Sequence, residues 1–157
     1  MRFSTDDQRF GVLISASQTA SDPRFFRFQL VIDGMVLGDT EDSIVYHAVQ
    51  KLGRLRRVAD PRLSLPVDDP PALLQVARTD EMLHDQLIGS WSESLDRWTV
   101  VAYIVEDMVV WVAQANDVSG KLIGPVLHAQ LGVKDYEEIV ARVQSYFQLH
   151  SRMQRHG

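Results

Sequence analysis

The segment from Trp98 to Asn116, WTVVAYIVEDMVVWVAQAN, constrains the fold more than any other part of the chain. Two runs rich in Val, Ile, Tyr and Trp flank the adjacent carboxylates Glu106 and Asp107, and β-branched residues favour strands. The pattern predicts a hairpin that turns at these two residues. Because a turn lies at the end of a sheet, in water, where charges cost little, we expect exposed turn residues and not an acid/base pair.

Both faces of this hairpin are apolar. A strand that is apolar on both faces is usually covered on both, so we expect the hairpin to be central, with helices on one face. The other face needs another layer or a partner, which leaves a homodimer open. The first strand presents Trp98, Val100, Ala102 and Ile104 on one side and Val101, Tyr103 and Val105 on the other.

Local patterns predict the remaining elements. Alternating residues indicate strands over 9–17 and 25–32, and Asp33-Gly34 is a strong two-residue hairpin signal. Apolar residues at helical spacing predict a helix from about Glu41 to Leu55 with Thr40 as its N-cap. Further elements are helical structure from Pro70 to about Leu87 with Asp69 as cap, and a last strand over Leu122 to Leu131 with Pro125 at an edge or bulge. The segment from Lys134 to His150 predicts a C-terminal helix with Asp135 and Glu138 at capping-box spacing. Its apolar residues form one stripe, which consists of Tyr136, Ile139, Val140, Val143 and Phe147.

These elements predict an α+β fold with a single largely antiparallel sheet of five or six strands and about three helices, including a C-terminal helix. The length of 157 residues suits one domain over 1–157, with 151–157 as a frayed tail. Net charge is −5 and Cys is absent. No apolar leader opens the chain, and the carboxylates that bisect the longest apolar stretch argue against a membrane span. We expect a cytoplasmic protein without a membrane or nucleic-acid partner.

No motif of the sequence assembles a catalytic, metal or cofactor site. The five histidines lack zinc-binding spacing, and neither a nucleophile elbow nor a phosphate-binding glycine loop occurs. We therefore expect no enzyme, no metal and no cofactor. His128 is the best lone candidate for acid/base work, although a partly buried, hydrogen-bonded histidine is the more ordinary interpretation. Trp91, in the polar run GSWSESLDRW, is predicted to be an exposed aromatic contact.

The layout resembles a group of small bacterial immunity proteins that protect against polymorphic toxins, including those of contact-dependent growth inhibition. The matching pieces are RFGVLIS, FRFQLVIDG, the late apolar hairpin, and GPVLHAQLGVKDYEEIVARVQSYF. The resemblance implies a protein that binds a cognate toxin domain, in many systems a basic nuclease, and blocks it. Two alternatives stay open: an acidic secretion chaperone or adaptor, and a small-molecule enzyme or binding domain that uses His128 and a carboxylate.

An acidic surface suits a basic partner, because opposite charges steer association. Carboxylates at a helix start also favour the positive end of the helix dipole whether or not anything binds. With Trp91, the candidate toxin-binding residues are Asp39, Glu41 and Asp42 at the start of the first helix, and Asp68, Asp69, Asp80, Glu81 and Asp85 around the middle helices.

The double substitution Glu106→Gln with Asp107→Asn tests the hairpin prediction. Exposed turn residues without partners contribute little, so the free energy of unfolding should change by less than about 0.5 kcal/mol. Denaturant unfolding measures it. A loss of several kcal/mol would mean that the pair is buried and partnered, contrary to the prediction.

Overall fold

A computed structural model of the chain describes residues 1–17, 25–39, 42–55, 57, 66, 68–79, 91 and 95–153. This part of the chain has an α+β fold of two antiparallel sheets and three helices. The strands are β1 (Arg2–Ser4), β2 (Phe10–Ala16), β3 (Phe25–Ile32), β4 (Met35–Leu37), β5 (Asp42–Ile44), β6 (Trp98–Val105), β7 (Met108–Asn116) and β8 (Leu122–Gly132). The helices are α1 (Tyr46–Leu52), α2 (Pro70–Thr79) and α3 (Val133–Met153).

The first sheet contains five strands in the order β1-β2-β3-β4, and β5 pairs with the other half of β3. The predicted Asp33-Gly34 hairpin is confirmed: these residues have φ of 54° and 77°, as a type I′ turn requires. The turn sets Ile32 opposite Met35. Alternation along β3 then directs Phe26, Phe28, Leu30 and Ile32 into the core, where all four are fully buried.

The second sheet has the order β6-β7-β8. Glu106 and Asp107 form the turn between β6 and β7 and are exposed, as predicted, and Glu106 adopts φ of 53°. β8 lies at the sheet's edge, and its pairing with β7 shifts between Ala113 and Ala115, opposite the segment that contains Pro125. This irregularity confirms the predicted edge or bulge position, since proline cannot donate to the ladder.

One core lies between the two sheets and is closed by α1 and α3. Trp111 of β7 occupies its centre, fully buried, with ring centroids 4.9 Å from Phe10, 5.1 Å from Trp91 and 6.2 Å from Tyr136. The Tyr136 hydroxyl donates to the carbonyl of Leu52 at 2.6 Å, which ties α3 to the end of α1. The predicted apolar stripe of α3 therefore faces the core, as its helical spacing requires.

Helix α2 covers the outer face of the second sheet. A separate buried cluster joins Leu73, Leu74 and Ala77 of this helix to Val101, Tyr103, Val110 and Val112 of the hairpin. Asp69 caps the helix, because its carboxylate accepts from the Ala72 amide at 3.1 Å. The second apolar face is thus covered within the chain, and a partner copy is not needed to bury these four side chains.

Three fold predictions need correction. The single sheet of five or six strands is wrong: eight described strands form two sheets, because each sheet buries its apolar inner face against the other. Among the described strands of the second sheet, β6 pairs only with β7, apart from one parallel bridge between Ile104 and Arg57, so the hairpin is not wholly central. The helix predicted from Glu41 to Leu55 begins only at Tyr46, because Asp42–Ile44 pairs with β3 as a strand, and Val45 occupies the N-cap without a side-chain hydrogen bond.

The other predicted boundaries are partly outside the described residues. Helix α2 is described only to Thr79, short of the predicted end at Leu87, and the predicted cap Thr40 is not described. Helix α3 begins at Val133, two residues before Asp135, and continues to Met153, so it includes the start of the predicted tail. In the described part of the chain, no helix is long and apolar enough to span a membrane.

Phe10→Ala tests the shared core. The ring is 1% exposed and contacts Trp111 and Tyr136, so its removal leaves a cavity between the sheets and should destabilise the fold by about 3–5 kcal/mol. Met35→Ala is the control in the same sheet, because Met35 is 44% exposed and should change stability by less than about 0.5 kcal/mol. If urea unfolding showed equal losses of unfolding free energy for Phe10→Ala and Met35→Ala, a core shared by the two sheets would be contradicted.

Candidate partner-binding surface

A groove opens where α3 leaves the second sheet. The connection between β1 and β2, the end of β8 and the first turns of α3 enclose a volume of about 460 Å³. The groove is lined by Ser4, Thr5, Asp6, Asp7, Gln130, Leu131, Asp135, Glu138, Ile139 and Arg142. We call it the acidic groove, because four of these ten side chains are carboxylates and one is a cation.

The turn between β6 and β7 adds charge beside the acidic groove. The Val133 amide, at the start of α3, donates to the carbonyl of Asp107 at 2.9 Å, and Met108 pairs with Gly132. The exposed Glu106 and Asp107 therefore lie next to the first turn of α3. This end of the molecule gathers carboxylates from three separate segments of the chain.

Hydrogen bonds hold Asp7 ionised in the acidic groove. The Thr5 hydroxyl donates to its carboxylate at 2.6 Å and the Arg9 amide donates at 3.0 Å. These two bonds, the hydroxyl first, lower the pKa of Asp7, because they favour the charged form. Asp135 lies in the first turn of α3, where the helix dipole also favours a negative charge.

Of the acidic residues predicted from the sequence, Asp39, Asp68 and Asp69 do not line the acidic groove. Asp39, Asp68 and Asp69 are exposed, and Asp69 already caps α2. Asp42 belongs to β5, opposite Arg27. Glu41, Asp80, Glu81 and Asp85 lie outside the described residues. Sequence reasoning missed Asp6, Asp7, Asp135 and Glu138 as a group, because the fold alone brings the two segments together.

Trp91 is not the exposed contact that its polar neighbours suggested. It is 4% exposed and packs against Trp111, and the Lys51 ammonium group lies 4.5 Å from the centre of its ring. Burial lowers the pKa of Lys51, since the charged form loses water. The prediction failed because a single tryptophan inserts into the core between polar residues, which leaves no periodic apolar pattern.

His128 is partly buried on the outer face of the second sheet. Its Nε2 atom is buried and has no hydrogen-bond partner among the described residues. Burial lowers the pKa of His128, and the nearby Arg9 guanidinium adds to this, while Asp33 and Asp68 oppose it. The ring makes no described hydrogen bond to a carboxylate, whereas an acid/base pair would require one. Among the described residues, no group of three or more His, Asp or Glu is placed to bind a metal.

A second groove, of about 330 Å³, separates α1 from α3. Tyr46 forms its rim, is 50% exposed, and has its ring 6.4 Å from that of Phe147. Gln50, Gln144 and Gln148 supply neutral amides. Exposed tyrosines are frequent in protein interfaces, so this groove is a second surface on which a partner could pack.

Comparisons with known proteins bear on the fold. No protein-family model matches the chain, and no curated protein matches it. Among solved structures, the chain is similar to the crystal structure of CdiI from Burkholderia dolosa AUO158, with a TM-score of 0.62 and 14% sequence identity. The match covers 93% of this chain and 99% of that chain. CdiI is a CDI immunity protein. At this identity, the likeness establishes a shared fold.

Thr5→Val tests the electrostatics of the acidic groove. Removing the hydroxyl deletes the hydrogen bond that lowers the pKa of Asp7 most. The Asp7 pKa should therefore rise toward the ordinary value of 3.8. NMR titration of the carboxyl carbon measures it. Thr99→Val is the control, because Thr99 donates to Asn116 instead. An unchanged Asp7 pKa would show that Thr5 does not hold this carboxylate.

Proposed function

We propose that the chain is an immunity protein that binds a cognate bacterial toxin domain and blocks its active site. The observation that carries the proposal is the likeness to CdiI along nearly the full length of both chains. A match that includes both sheets and the closing helix is more specific than a shared hairpin would be. The proposal places the protein in the cytoplasm, where it would meet a toxin delivered into the cell.

The charge distribution supports a basic partner. Nuclease domains bind a phosphate backbone and carry clefts rich in Lys and Arg. An acidic surface complements such a cleft, speeds the encounter and disfavours acidic partners. The acidic groove is lined by Asp6 and Asp7 from the connection between β1 and β2 and by Asp135 and Glu138 from α3. We propose this groove and the adjacent Glu106-Asp107 turn as the toxin-facing surface.

The acidic residues predicted from the sequence define a competing surface. Asp39 and Asp68 are exposed, and neither lines the acidic groove. Asp69 is a poor probe of binding, because its removal would also uncap α2. A comparison of neutral variants that leave Asp69 in place therefore separates the two surfaces and keeps the cap of α2 intact.

The experiment measures association with the toxin domain encoded beside the gene. A groove variant replaces Asp6, Asp7 and Asp135 with Asn and Glu138 with Gln. We expect its association rate at low salt to fall by about tenfold or more, with a flatter dependence on ionic strength, because steering by exposed charges is screened over about 8 Å at physiological salt. Stopped-flow fluorescence resolves both quantities.

The control variant neutralises the same number of carboxylates of the set predicted from the sequence, with Asp39→Asn, Asp68→Asn, Glu41→Gln and Asp80→Asn. If only this variant slows association, the toxin faces the competing surface and the acidic groove is excluded. If neither variant slows it, electrostatic recognition is wrong. If the wild-type protein binds no adjacent toxin at all, the immunity proposal fails and the secretion-chaperone alternative takes its place.

A further inference from the structure

Helix α2 is the described cover of the outer face of the second sheet. It contributes Leu73, Leu74 and Ala77 to a small cluster that is separate from the main core. A helix of ten residues that packs through one short stripe has little stability of its own. The stability of its contact with the second sheet therefore depends on the side chains of the sheet that lie beneath it.

Two buried polar groups lie on the face that α2 covers. The Tyr103 hydroxyl and the His128 Nε2 atom are both buried, and neither has a hydrogen-bond partner in the described part of the chain. His128 pairs with Val112, and Tyr103 with Val110, so both side chains project from the face that carries the α2 cluster. Among the described residues neither group is satisfied, and an unsatisfied buried polar group weakens the contact around it.

Charged groups face His128 from each neighbouring element. Arg9, before β2, donates to Asp33 at 2.8 Å and to the backbone carbonyl of His128 at 3.1 Å. Asp33 belongs to the turn between β3 and β4. The charge of Asp68, two residues before α2, acts on His128 and on Tyr103. The described residues that α2 itself turns toward this face are apolar.

We propose that α2 is an acid-sensitive cover, released from the second sheet when His128 becomes protonated. A cation at His128 Nε2 would be buried beside the Arg9 guanidinium, without a hydrogen-bond acceptor among the described residues. Opening of α2 exposes the buried Nε2 side of this partly buried ring to water, where the charged form is stable. Protons therefore bind the open state more tightly and shift the equilibrium toward it.

The direction of the pH effect follows from the linkage between proton binding at His128 and the opening of α2. The folded pKa of His128 is lowered, whereas the ordinary value is 6.5. Neutral His128 stabilises the closed state fully above about pH 6.5. This stabilisation is lost as the pH falls from 6.5 to the lowered pKa that His128 has in the closed state. Within this window the opening equilibrium constant rises by up to roughly tenfold per pH unit.

Amide hydrogen exchange at pH 7.5 and 5.5, corrected for the intrinsic effect of pH, tests the proposal. Protection at the Leu74 and Ala77 amides should fall by about three- to tenfold on acidification, whereas protection at Val12 and Leu30 in the first sheet should stay constant. In His128→Gln, where the side chain is neutral at both pH values, the acid-induced loss of protection in α2 should disappear.

Three results would overturn the proposal: unchanged α2 protection in the wild type, an equal loss in His128→Gln, or a parallel loss at Val12 and Leu30, which would mean global unfolding. Direct NMR titration of His128 in the wild-type protein avoids any concern that the variant misfolds. A His128 pKa at or above 6.5 would also contradict the mechanism.

Discussion

The double-sided apolar character of the β6–β7 hairpin is the constraint on which the other layers depend. Trp111 and its neighbours on the inner face need the first sheet and α3, and Val101, Val110 and Tyr103 on the outer face need α2. Full burial of each large apolar side chain contributes about 1.5–3 kcal/mol. An uncovered face would forfeit several such contributions, so the hairpin requires a layer on both sides.

The acidic end of the molecule is a consequence of the same arrangement. Helix α3 follows β8 without a loop, so its first turn lies beside the Glu106-Asp107 turn and the connection between β1 and β2. Glu106, Asp107, Asp6, Asp7 and Asp135 at these positions are exposed. Carboxylates are tolerated there without loss of stability, and the same exposure makes them accessible to a basic partner.

Local patterns predicted much of the fold. The type I′ turn at Asp33-Gly34, the exposed Glu106-Asp107 turn, the Asp69 cap and the apolar stripe of α3 each depend on residues close together in the chain. The division into two sheets, the strand at Asp42–Ile44 and the burial of Trp91 could not be predicted in this way, because they arise where distant segments meet. The acidic groove is of the same kind: Asp6-Asp7 and Asp135 to Glu138 are both visible in the sequence, but their proximity exists only after folding.

The most direct test of the immunity proposal is growth of cells that express the toxin domain encoded beside this gene, with and without the chain. If the chain blocks the toxin's active site, its co-expression should restore growth, and a toxin domain from an unrelated system should remain lethal. Failure to restore growth, with the chain folded and present at least at the level of the toxin, would contradict the proposal.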